Sequence, residues 1–118
     1  MVELTTRARP DASGMQVVKV EVHRGYRPAS IIARADTPLR IIFDRADDDP
    51  CSERVVFSSP HVDRRLSVSG PTVVDLPGQP RGEIRFTCGM GRYRGRILLV
   101  EEPGRRLLDR LRGLFRHQ

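Results

Sequence analysis

A thiol and a thioether two residues apart, Cys88 and Met90, stand among glycines in the run FTCGMGRYRGRILLV, residues 86–100. The chain has only two cysteines, so one of them at this junction invites a chemical reading. Thiolate and thioether are soft donors, and soft donors select Cu(I) over the hard divalent ions. Along GEIRFTC side chains alternate with period two, which puts Ile84, Phe86 and Cys88 on one inward face. Cys88 is then the last inward residue before core gives way to loop. Gly89 and Gly91 let the backbone curl tightly enough for Met90 to turn back toward the same point.

The elements that must hold this pair are short strands. In MQVVKVEVH, Val18, Val20 and Val22 alternate with Lys19, Glu21 and His23, giving one buried face. ASIIAR, LRIIF, RVVFS, RRLSV, TVVDL, EIRFTC and GRILLV follow, separated by GYRP, ADTP, DRADDDP, SPHVD, SGP and PGQPRG. Seven or eight short strands with turns about every ten residues predict an all-β sandwich or Greek-key barrel. At 118 residues the chain suits one domain, and with no Trp its core must be filled mainly by Val, Ile and Leu. Residues 1–14, polar and containing Pro10 and Gly14, read as a flexible lead-in, and residues 15–101 as the folded domain.

Residues 102–118 have helical spacing. Leu107, Leu108, Leu111, Leu114 and Phe115 form one stripe, opposite Arg105, Arg106, Arg110, Arg112 and Arg116. Such an amphipathic helix could cover the sandwich, dimerise, or lie on an anionic membrane surface.

The net charge is +6, and Lys19 is the only lysine among 21 basic residues. The arginines are spread along the chain and the aromatics are expected inside, so nucleic acid is not the expected partner. No Ser–His–Asp arrangement, phosphate-cradling loop or paired acid and base emerges, so no enzyme is expected. The sequence shows no signal-peptide core and no run of eighteen apolar residues. A cytoplasmic location is therefore expected, with membrane association through the tail as one open alternative, or an extracytoplasmic one if a leader has been removed. In a reducing cytoplasm two cysteines are thiols rather than a bridge.

The pattern F-x-C-G-M-G-x-x-x-G-x-I-x-x-V in Phe86 to Val100 resembles the closing strand, ligand loop and last strand of the cupredoxins. Upstream, GYRPASIIARADTPLRIIFDRADDDPCSERVVF is similar to their strand–turn–strand progression. The nearest likeness is the cupredoxin-like domain with an upstream Cys followed by Cys-Gly-Met-Gly, often associated with heavy-metal P-type ATPases. It covers about residues 15–101. The resemblance implies a Greek-key β-sandwich with Cys88 at the position of the blue-copper thiolate. It also brings Cys51 beside Cys88 and Met90, a three-sulfur set for Cu(I), and implies a P-type ATPase or other copper-handling protein as partner.

Two departures matter. Glu53 occupies the first imidazole position and CGMGRYRG contains no histidine, so a type 1 blue-copper electron carrier is not expected. Arg92 stands where a second methionine would follow the first. Other readings remain open: a Cys51–Cys88 disulfide, two inert thiols, a redox-sensing dithiol, or a metal-free protein-interaction module. His23 is either an auxiliary ligand or a surface residue. Asp44, Asp47, Asp48 and Asp49 read as a solvated turn before Cys51 that could draw cations toward it. Arg92, Arg94 and Arg96 would favour a thiolate, dock an acidic partner, or simply face solvent.

Overall fold

The computed structural model describes residues 5–101, which form eleven strands in two sheets. In chain order these are β1 (Thr5–Arg7), β2 (Arg9–Pro10), β3 (Gln16–Val22), β4 (Tyr26–Arg27), β5 (Ser30–Arg34) and β6 (Leu39–Arg45). A single 3-10 turn, Pro50–Ser52, precedes β7 (Arg54–Phe57). Next come β8 (Val62–Arg65), β9 (Thr72–Leu76), β10 (Gly82–Cys88) and β11 (Arg94–Val100). One sheet runs β1-β5-β11-β10-β7-β8; the other runs β2-β3-β6-β9, with β4 added to β3. Eight of the strands are four residues or longer, as the count of seven or eight anticipates; β1, β2 and β4 are shorter fragments.

The alternation in the sequence becomes the core. Val18, Val20 and Val22 on β3, Leu39, Ile41 and Phe43 on β6, and Ile84, Phe86 and Cys88 on β10 are all buried. Side chains from both inner faces interdigitate there, as packed sheets require. Phe43, Phe57 and Phe86 meet with ring centroids 5.3–6.2 Å apart, and Tyr26 lies 4.9 Å from Phe86. Each such buried ring contributes about 1.5–3 kcal/mol through removal of apolar surface from water. Gly95 faces Phe86 across the β10–β11 pair, and a Cβ there would come within 2.3 Å of the ring. A glycine is therefore needed where the ring crosses the neighbouring strand.

One buried polar group ties the layers together. Gln16 on β3 donates to Arg34 O at 3.1 Å and accepts the Arg34 N–H at 2.6 Å, joining the end of β5 in the opposite sheet. Its amide is fully used, so its burial costs little.

Two boundary expectations change. Residues 5–10, expected within a flexible lead-in, are paired. Thr5–Arg7 runs parallel to Ser30–Ile32, while Arg9–Pro10 pairs with Val17 and Gln16 in the other sheet. Ala8 between them is buried. The pairing comes from backbone hydrogen bonds at two sheet edges, which side-chain alternation does not report. The strand expected at RRLSV is instead Val62–Arg65, shifted toward the preceding turn because it pairs with Arg54–Phe57. The amphipathic helix expected over 102–118 lies outside the described residues. Among those described, no helix is long and apolar enough to cross a membrane.

Candidate metal centre

Strand register delivers Cys88. It pairs with Val55 on β7, continues the inward face of Ile84 and Phe86, and is 1% exposed. Beyond it the chain turns back at once. Gly91 adopts φ +75°, its N–H donates to Cys88 O at 2.9 Å, and the Cys88 N–H donates to Tyr93 O at 3.1 Å. A positive φ of this kind is readily reached only without a Cβ. The tight loop aims two more amides inward: Arg92 N–H and Tyr93 N–H donate to the Cys88 sulfur at 3.1 and 3.2 Å.

A different device delivers Cys51, which sits inside the 3-10 turn and is also 1% exposed. Asp49 caps the turn by accepting the Cys51 N–H at 2.9 Å, with Pro50 in the first position. Asp47 holds the turn from outside. Its carboxylate accepts from the Ser52 hydroxyl, from the Asp49 N–H at 3.3 Å, and from the Arg24 N–H at 2.9 Å on another loop. Burial would raise the Asp47 pKa, but these donors outweigh it and hold the carboxyl below its usual range. The acidic stretch is thus a scaffold rather than only a solvated turn. The signal was in the sequence, since Asp-Pro before Cys51 is an N-cap followed by the residue best suited to the first helical position.

The sulfurs converge at this pole. Cys51 Sγ lies 3.7 Å from Met90 Sδ, and Cys51 and Cys88 are both buried free thiols. Burial disfavours a thiolate at both. At Cys88 the amides of Tyr93, Met90 and Arg92 outweigh that cost and set the thiol below its ordinary value. Cys51 has no such set, so burial, then Cys88, push it up. The pair therefore divides into a thiolate-favouring sulfur and a proton-holding one. Met90 differs from both: it is 64% exposed.

The remaining sequence candidates occupy the surroundings. Glu53 is exposed and lines an open groove of about 320 Å³ with Arg54, Arg65 and Met90. Arg92 is exposed, and its charge favours a Cys51 thiolate. His23 is about half exposed, with Nδ1 3.6 Å from the Asp47 carboxylate. His61 is exposed in the turn before β8. Among the described residues no group of three or more His, Cys, Asp and Glu could hold a metal ion.

Two tyrosines belong to the neighbourhood although sequence reasoning placed them only in the core. Tyr26 and Tyr93 are buried, 5.8 Å apart edge to face, and neither hydroxyl has a hydrogen-bond partner. Burial, then the charge of Cys88, drives the Tyr26 phenol well above its ordinary range, so it stays protonated.

Fold and sulfur geometry together define a class. The chain belongs to the cupredoxin-like domain family, whose description matches residues 1–99. The match begins well before residue 15, in keeping with the pairing of β1 and β2. One similar structure is the metal-binding domain of the Streptococcus pneumoniae Cu(I)-exporting P-type ATPase CopA with Cu(I). It is 26% identical, with a TM-score of 0.79, covering 86% of this chain and all of that one. Another, a copper-binding protein solved by NMR in its apo form, is 34% identical with a TM-score of 0.75 and coverages of 80% and 95%. Auracyanin B, at 11% identity, a TM-score of 0.58 and coverages of 71% and 88%, shares the fold alone. No curated protein sequence matches the chain.

Proposed function

We propose that this protein binds copper as Cu(I) through Cys88, Cys51 and Met90 and holds it for handling or delivery. It is a binding protein rather than an enzyme, and not a type 1 blue-copper electron carrier. The observation that carries the reading is the approach of Cys51 Sγ to Met90 Sδ at 3.7 Å, beside a Cys88 sulfur already surrounded by amide donors. The chemistry of the donor set fits the ion: two thiols and a thioether are soft, uncrowded and able to take a low coordination number. Thiol protons must leave as the metal enters. Cys88, favouring its thiolate, takes the ion first; Cys51 then gives up its proton, and Met90 closes the set from the solvent side.

Exchange requires no redox step. A partner's donor can replace Met90 while the thiols still hold the ion. Similarity to the metal-binding domain of a Cu(I)-exporting P-type ATPase supports a heavy-metal ATPase or another copper-handling protein as partner.

Anaerobic titration of the reduced protein with Cu(I), against a chromogenic chelator, tests the reading. One tightly held ion per chain is expected. Absence of stoichiometric binding overturns it and leaves the metal-free interaction module. A second reading, a redox-sensing dithiol, is favoured by two buried free thiols, one of them 3.7 Å from the methionine two residues beyond the other. It expects a mild oxidant to take the free-thiol count reversibly from two to none.

A further inference from the structure

Tyr26 on β4 brings to the sulfur pole a hydroxyl that the fold does not use. Its ring lies 4.9 Å from Phe86, one inward position before Cys88 on β10, and 5.8 Å from Tyr93, whose own N–H bonds the Cys88 sulfur. It is 8% exposed, and its hydroxyl has no hydrogen-bond partner. Buried tyrosine hydroxyls ordinarily find one. An unpaired buried donor costs free energy that a phenylalanine of the same shape avoids, and Phe43 and Phe86 beside it show that a bare ring suits this core. A group that weakens the metal-free fold calls for a state in which it is used.

Loading changes what a donor finds at this pole. A thiol is a weak acceptor, whereas a thiolate that has given up its proton to hold a metal carries negative charge, and hydrogen bonds to charged groups are roughly twice as strong as neutral ones. We infer that the Tyr26 hydroxyl is a donor kept for the loaded state, in which the Cys88 thiolate accepts its hydrogen bond and so holds Cu(I) more tightly. The inference rests on the proposed Cu(I) function and adds a positioning residue to its three sulfurs. Cys88 is the acceptor because its neighbours on both sides, Phe86 and Tyr93, flank the Tyr26 ring. Electrostatics agree: after burial, the charge of Cys88 does most to keep the phenol protonated, ahead of Tyr93 and Cys51, so it remains a donor. The hydroxyl then acts in opposite directions on the two states. It lowers the stability of the metal-free protein, and its penalty is relieved as the ion enters, which adds to affinity.

Tyr26→Phe removes one oxygen and keeps the ring, so it tests this directly. In the metal-free, reduced protein its denaturant midpoint should equal or exceed that of the wild type, because a buried donor without a partner is lost. Anaerobic competition with a chelator should show Cu(I) held about tenfold more weakly, the size expected when a group orienting a ligand is removed. The rise in midpoint on adding one equivalent of Cu(I) should shrink accordingly. A further readout follows the sulfur itself. The thiolate-to-Cu(I) absorption in the near ultraviolet should shift in the variant, because a hydrogen bond lowers the energy of the sulfur lone pairs. A lower midpoint in the metal-free variant overturns the inference, since the hydroxyl is then paired before any metal arrives. Unchanged affinity, or an unmoved absorption band, overturns it as well, while stoichiometric binding by the wild type leaves the Cu(I) reading in place. Failure of the wild type to hold Cu(I) removes the proposed function and this inference with it.

Discussion

The two loops that bring sulfur to the same pole are built on opposite plans. Cys88 is fixed by strand register and receives backbone amides, so its surroundings favour negative charge. Cys51 is held in place by carboxylates, Asp49 on its own N–H and Asp47 on Ser52, and has no such amides, so burial, then Cys88, favours its proton. On the proposed function, the first sulfur takes the cation and the second is held in place until it does. Similar burial thus yields different chemistry, because the local donors and acceptors differ.

That contrast can be broken at several points. Cys88→Ser should abolish stoichiometric Cu(I) binding, whereas Cys51→Ser should leave weaker binding through Cys88 and Met90; competition with a chelator separates them. If both lose binding equally, the proposed division of roles fails. Gly95→Ala should lower stability by about 1–3 kcal/mol, as overpacking against a buried ring does, read from denaturant unfolding. An unchanged midpoint would mean that the Phe86 ring beneath Cys88 is not held as tightly as described.

Asp47→Ala should loosen the Cys51 turn and cost roughly tenfold in Cu(I) affinity, the size expected when a group orienting a ligand is lost. Asp47→Asn should recover part of that loss, because an amide oxygen still accepts hydrogen bonds. The smallest effect concerns pH. The Asp47 carboxyl lies below its usual value of 3.8 when folded, so its contribution is present above that value. It is lost as pH falls through the lower folded value. The protection of the Arg24 and Asp49 amides, taken relative to intrinsic exchange at each pH, should fall only in that acidic range, while that of Tyr93, which bonds sulfur instead, should not follow it.

How much could be read in advance differs between the loops for the same physical reason. Alternation in EIRFTC is a local property, so it placed Cys88 at the end of an inward face, and the glycines flagged the turn that follows. The Asp47 network joins the loop that holds residues 47 and 52 to residue 24 on another, and no spacing rule reports a bond between backbone and side chain at that separation. Tyr26 and Tyr93 were legible as core but not as orphaned hydroxyls beside sulfur, since hydrogen-bond satisfaction is a property of packing. The pairing of residues 5–10 was missed because two- and three-residue strands carry too little pattern to distinguish them from a polar lead-in.

Those first residues have a practical consequence for how the domain should be handled. Within Thr5–Pro10 the chain borders β5 in one layer and then β3 in the other. Expression begun at Met15 would strip both borders and leave unsatisfied amides and carbonyls along two ladders, an invitation to intermolecular sheet growth. Such a shortened protein should elute as aggregates, although every sulfur donor would still be encoded.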